Sequence, residues 1–285
     1  MFRRFLKMEF QKTIYRWQTA VGFLVFFISF MLMATALKEE IAPWVGIMPQ
    51  ERVLQLTNPF ISFVLVFGWG VGMYMFLVIP LVVLFIFGDS LLVDYKSGFY
   101  QFSLTRISYK SFIKNKILAV LSLAFLTMFI FQVFGFVFLL ATSPFHFPAG
   151  DAGGRMPLDS SLFVSTPFTY VFILMTIISL VSTAYASLGL VGSSIFKNSP
   201  SIVGGGLLIL LFSHIGGAIA SVLVSDLYYL SPLMMSGPFL YDFPRHYGFT
   251  HVLAYWLIVI TFFIYISYVA FNRKSGFRNF RVSKE

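Results

Sequence analysis

Six stretches of the chain run apolar without a single Asp, Glu, Lys or Arg: about 19–37, 61–87, 117–141, 168–192, 201–224 and 251–271. A helix of about 20 apolar residues crosses a hydrocarbon layer of roughly 30 Å, so each stretch predicts a transmembrane helix. The segments between them are too short to bury cores of their own. The pattern therefore predicts an all-α membrane protein with one transmembrane domain over residues 1–285. The second stretch is longer than a crossing needs, extending about 40 Å at 1.5 Å per residue. Gly68, Gly70, Gly72 and Pro80 interrupt it, and a kink, tilt or extension past the surface would absorb the excess.

Ahead of the first stretch, Phe2, Leu6, Phe10, Thr13 and Trp17 fall on one side of a helix, with Arg4, Lys7, Gln11, Lys12 and Arg16 around the rest. This predicts an amphipathic elbow helix over 2–17, lying along the membrane interface. A cleaved signal peptide is the competing reading, because Ala34-Thr35-Ala36 has the small residues of a cleavage site. Against it stand the length of the apolar run and the patterned region before it. Between the fifth and sixth stretches, Tyr228-Tyr229-Leu230-Ser231-Pro232-Leu233-Met234-Met235 is apolar but too broken to span. Either it enters the membrane as a re-entrant outer hairpin, its backbone covered by protein, or it packs on the bundle as a loop.

Composition agrees: 58% of residues are hydrophobic, 11% charged, and 37 are Phe. A water-soluble domain carries roughly a quarter charged residues. The absence of cysteine excludes disulfides, thiolate zinc sites and iron–sulfur clusters. The net charge of +9 is distributed unevenly. Basic residues concentrate in the N-terminal tail (Arg3, Arg4, Lys7, Lys12, Arg16), the second loop (Lys96, Arg106, Lys110, Lys114, Lys116), the fourth loop (Lys197) and the C-terminal tail (Arg273, Lys274, Arg278, Arg281, Lys284). Only Lys38, Arg52, Arg155 and Arg245 fall in the odd-numbered loops, together with most of the acids. The positive-inside rule then puts both termini in the cytoplasm of a multi-pass plasma-membrane protein, with a bacterial source expected. An anionic leaflet accounts for the basic charge, and no nucleic acid is needed.

The second loop, GDSLLVDYKSGFYQFSLTRISYKSFIKNK at 88–116, has more pattern than a linker. Asp94 precedes a break at Ser97-Gly98. Phe99, Phe102, Leu104 and Ile107 follow among polar residues, and Lys110, Lys114 and Lys116 lead into the third stretch. Gly98 permits a sharp backbone turn, and the residues after it predict a short helix whose Phe side chains bury against lipid or a partner. This layout resembles the permease subunits of type-two ATP-binding-cassette (ABC) exporters. Those have an elbow helix, six spans and a first cytoplasmic loop that forms a coupling helix against a separate ATPase. Asp94, Gly98, Ser108 and Lys116 are similar to that loop's acid, glycine, serine and lysine. Phe99 stands where Thr is usual, Arg106 near the usual Pro and Tyr109 near the usual Arg, with the spacing one residue short. The resemblance implies ATPase coupling through Asp94, Gly98, Phe99, Phe102, Arg106, Ser108, Lys110 and Lys116. It also implies dimeric assembly with a second permease copy or paralogue, and an outer re-entrant region at Leu230-Ser231-Pro232.

No G-x-x-x-x-G-K-[ST] run is present, nor H-E-x-x-H or G-x-S-x-G. The chain is therefore expected not to be an enzyme and to carry no cofactor, with ATP and magnesium on the partner ATPase. His214 is the one ionisable residue deep in a predicted span. It reads as a neutral histidine bonded to a neighbouring helix, or as a pathway contact. Ser213, Gly217 and Ser221 recur every four residues and make a small face, suited to packing within the subunit or to a dimer interface. The expected function is export of a hydrophobic or amphipathic cargo, such as an antimicrobial peptide or a lipid-like molecule. The alternatives are an ion-coupled secondary transporter, against which the lack of an acid inside any span argues, and a non-transporting scaffold or sensor.

Overall fold

The computed structural model describes residues 2–68, 73–105, 107–148, 160–222, 230–232, 235 and 248–273. Among them the regular structure is helical: α1 Phe2–Tyr15, α2 Trp17–Ile41, α3 Gln50–Thr57, α4 Pro59–Gly68, α5 Met73–Phe87, α6 Ser90–Lys96, α7 Phe99–Leu104, α8 Tyr109–Thr142, α9 Ser160–Ser165, α10 Pro167–Ile195, α11 Ser199–Ala220 and α12 Phe249–Arg273, with a 3-10 turn at Ala42–Trp44. Six helical stretches among the described residues are long and apolar enough to cross a membrane. The chain is a multi-pass membrane protein. Gly70, Gly72, Arg106 and the tail beyond 273 lie outside the described residues, as does most of the segment read as a re-entrant hairpin.

Local chemistry sets the boundaries. Asn58 separates α3 from α4: its extended backbone stops one helix, and its Oδ1 accepts from Ile61 N at 2.8 Å to start the next. Asn198 caps α11 in the same way, accepting from Ser201 N at 2.9 Å, with a proline in the first turn. Two spans differ from the hydrophobic runs. The second apolar stretch holds α4 and α5 on either side of residues 69–72, and among the described residues the segment long and apolar enough to cross is Leu77–Lys96. It runs past Asp89 and Asp94, the charges at which an apolar count stops. The third span begins two turns early at Tyr109, because Phe112, Ile113 and Lys116 are buried.

Helix α10 is the centre of the bundle and packs on α8, α12, α5 and α11. It is rich in small and hydroxylated residues. In a low-dielectric interior each hydroxyl needs an acceptor, and these find one on their own helix. Ser179, Ser182 and Thr183 donate to Met175 O, Ile178 O and Ser179 O at 2.7, 2.8 and 2.8 Å. With their hydrogen bonds satisfied, such side chains allow neighbouring helices to approach closely. The closest approach is at Gly189, where an added Cβ would stand 2.6 Å from Gly88 Cα. Gln132 ties α8 to α10, its Nε2 donating to Met128 O and Ser179 Oγ, both at 3.1 Å. Much of the phenylalanine is internal packing. Phe30, Phe63 and Phe67 touch one another, and Phe60 meets Phe136, Phe145, Phe147 and Phe168. The abundance of aromatics thus follows from the core, and no cargo is required to explain it.

Candidate functional site at the lysine-rich end of the bundle

The face of α1 that meets the protein is not its apolar one. Phe5, Glu9, Lys12 and Arg16 fall within about 60° of one another at 100° per residue. They turn toward α6 and α8, while Phe10, Ile14 and Trp17 stay exposed. Phe5 packs edge-on against Phe112, with ring centroids 5.9 Å apart. One turn later Glu9 Oε2 accepts from Lys116 Nζ at 2.5 Å. Helix α1 therefore runs beside α8 in the same sense. Against the end of the second span it runs in the opposite sense, since Lys12 reaches Asp94 and Arg16 reaches Asp89.

Two ion clusters result. In the first, Lys116 Nζ lies 2.5 Å from Glu9 Oε2 and 2.7 Å from Asp94 Oδ2, and Lys12 Nζ lies 3.3 Å from Glu9 Oε1 and 3.1 Å from Asp94 Oδ1. Glu9, Asp94 and Lys116 are 2%, 3% and 1% exposed, so three members of a quartet with two charges of each sign are desolvated, while the Lys12 side chain stays 34% exposed at its edge. Lys12 also sits over the Phe99 ring, 3.3 Å from its centroid. In the second cluster, Arg16 donates to Asp89 Oδ1 at 2.6 Å and to Ile86 O at 3.2 Å, and Ser199 donates to Asp89 Oδ2 at 2.7 Å. Arg16 is the single extended residue between α1 and α2. Its guanidinium thus fixes that joint to the end of α5 and the first turn of α11.

An anionic leaflet therefore does not account for all of the basic charge at this end, since Lys12, Arg16 and Lys116 pair with acids of the chain itself. Asp94 and Lys116, read as coupling residues, are buried and cannot touch a partner; any influence they have runs through the position they give the loop. Phe99 is half-buried beneath Lys12 and is not a free anchor. Gly98 has φ +72°, a left-handed backbone that L side chains rarely adopt, and it starts α7. Ser108 caps α8, its hydroxyl accepting from Ser111 N at 3.4 Å. Lys110 is exposed. Arg106 and the Phe102 side chain lie outside the described residues. Glu9, Lys12, Arg16 and Asp89 were missed as partners. The signal was present in their helical spacing, a quarter turn from the apolar stripe.

At the other end of α11, His214 Nδ1 lies 3.2 Å from Ser231 Oγ. Ser231 lies in the segment before α12. Ser231 and Met235 are buried, and Tyr255 and Trp256 of α12 donate to Leu230 O and Met235 O at 2.9 and 3.0 Å. The hydroxyls of Ser213 and Ser221 bond within α11, to Leu210 O and Ala218 O at 2.7 and 2.6 Å, and Gly217 lies between them, half-buried. Among the described residues no group of three or more His, Cys, Asp or Glu could hold a metal ion. No protein-family model matches the chain, and no curated protein matches it in sequence.

Proposed function

We propose that this chain is the membrane subunit of an ATP-driven exporter, with ATP hydrolysis on a separate cytoplasmic subunit and a second permease copy completing the pathway. The observation that carries this reading is the ion quartet. It joins α1, the end of the second span and the start of the third into one joint, with α7 held against it through Lys12 and Phe99. A push on α7 reaches spans one, two and three together. The joint supplies the mechanical link between a cytoplasmic motor and a membrane pathway, and the resemblance of loop two to a coupling segment supports that use. The cargo class is hydrophobic or amphipathic. The half-buried small face of α11 suits the second copy.

Gly98→Val is the direct test. A branched residue forced into the left-handed region costs roughly 1–2 kcal/mol, so α7 shifts or reorients. Reconstituted with its ATPase, the variant is expected to show cargo-stimulated hydrolysis lowered about tenfold. Wild-type coupling by Gly98→Val would remove α7 from the mechanism. The buried ionisable quartet also favours a second reading, ion-coupled transport. Cargo movement in ATP-free vesicles under an imposed proton or sodium gradient would install it instead.

Orientation is tested separately in the cysteine-free background. Ile47 and Ser97 are both exposed and lie at opposite ends of the bundle. Ile47→Cys is expected to react with an impermeant thiol reagent on intact cells, and Ser97→Cys only after lysis. The reverse pattern inverts the topology.

A further inference from the structure

Among the described residues, the acids at the lysine-rich end are Glu9, Asp89 and Asp94, all buried and committed to Lys12, Lys116, Arg16 and Ser199. Among the described residues, the lysines left on the surface there have no acid beside them. Two of these, Lys110 and Lys114, belong to a ridge on α8 that continues at four-residue steps through Leu118, Ser122, Leu126, Ile130 and Phe134, all exposed. The exposed apolar positions of α8 run from Leu118 to Val137. At 1.5 Å per residue that is about 29 Å, the thickness of a hydrocarbon layer. Lys114 then stands about 6 Å, and Lys110 about 12 Å, beyond the hydrocarbon edge on the same ridge. That is the depth of phospholipid headgroups. The lysine end of the ridge faces away from α1: Phe112 and Lys116, which touch α1, lie on the opposite side of α8 from Lys110 and Lys114.

We propose that Lys110 and Lys114 form a binding site for an anionic phospholipid, the two ammonium groups holding the headgroup phosphate while the acyl chains leave past Leu118. The site takes Lys110 out of the ATPase-docking set and gives it a membrane partner. It also explains a division of labour among the basic residues. Lys12, Arg16 and Lys116 neutralise buried acids, and Lys110 and Lys114 are left to the bilayer.

Each lysine at an anionic surface is worth about fivefold in affinity, so the pair is worth about thirtyfold. The full chain, purified in a zwitterionic detergent, is titrated with short-chain phosphatidylglycerol and, in a parallel arm, phosphatidylcholine. Binding is read by native mass spectrometry. The wild type is expected to prefer phosphatidylglycerol, and Lys110→Gln with Lys114→Gln to lose that preference by about thirtyfold. Lys110→Arg with Lys114→Arg should restore it. Lys197→Gln removes one exposed charge elsewhere at this end and should leave it unchanged. An equal loss from Lys197→Gln would reveal diffuse attraction to net charge and overturn the site. So would an unchanged preference in the double variant. A third arm uses soluble glycerol phosphate, and binding as tight as that of the lipid would make this a free-phosphate site. Loss of ATPase co-purification with no change in lipid preference would return both lysines to the protein interface.

Discussion

Lys116→Met is expected to destabilise the protein by about 3–5 kcal/mol, the cost of removing one partner from a buried ion pair. The side chain is 1% exposed and touches both Glu9 and Asp94. Methionine fills similar volume, so little of the loss comes from packing. What remains is two buried carboxylates with one partly exposed lysine, Lys12, and so one charge too many. Lys12 alone then faces two carboxylates at 3.3 and 3.1 Å. The charge origin of the effect is isolated by a second change. Glu9→Gln added to Lys116→Met leaves Lys12 with Asp94, a neutral pair, and should recover at least half of the lost stability. Denaturant titration of the purified protein in mixed micelles measures both variants. Equal stability of the single and double variants would show that volume, not charge balance, sets the cost.

Gly189→Ala should cost about 1–3 kcal/mol, and Gly189→Val more. An added Cβ would stand 2.6 Å from Gly88 Cα and 3.2 Å from Leu84 Cδ2. The nearer atom is backbone in the buried turn after α5 and cannot rotate aside, so α10 and the end of α5 must separate along the contact that holds the centre of the bundle. Gly204 on α11 is the control. Nothing lies within 4 Å of a Cβ added there, and alanine inside a helix gains up to about 1 kcal/mol over glycine. Gly204→Ala should therefore be neutral or stabilising while Gly189→Ala unfolds the protein at lower denaturant. The same sign at both positions would mean that helix propensity, not close approach, governs these glycines.

Apolar run length carried most of the architecture, since a helix in lipid satisfies its backbone internally and has to be about as long as the layer is thick. Where the reading of ends failed, charge was the cause. A hydropathy count stops at Asp89 and at Lys116, yet the second span runs on past Asp89 into α6 and α8 begins ahead of Lys116, because partners far away in sequence neutralise both charges. Such pairing is not visible along one strand of text. Glu9 and Lys116 are 107 residues apart, and neither has a neighbour that hints at the other. The position of Gly98 was legible, because only a residue without Cβ sits easily at φ +72°. The burial of Phe99 was not, because the chain supplies its cover through Lys12. Nor was the exposed ridge of Lys110 and Lys114 separable from its buried neighbour Lys116 until the faces of α8 were fixed by Phe112 and Glu9.

The quartet also imposes an order on biogenesis. Glu9 leaves the ribosome ahead of the lysine that neutralises it, which follows 107 residues later. At 5–20 residues per second that gap lasts on the order of 5–20 s. During it the newborn first span has entered the bilayer while its leading helix still carries an unmatched carboxylate, which only water or Lys12 can accommodate. The N-terminal segment therefore cannot dock until the third span has begun to insert. A nascent chain arrested before residue 116 should present α1 to proteases and insertion factors, and one arrested after the third span should hide it.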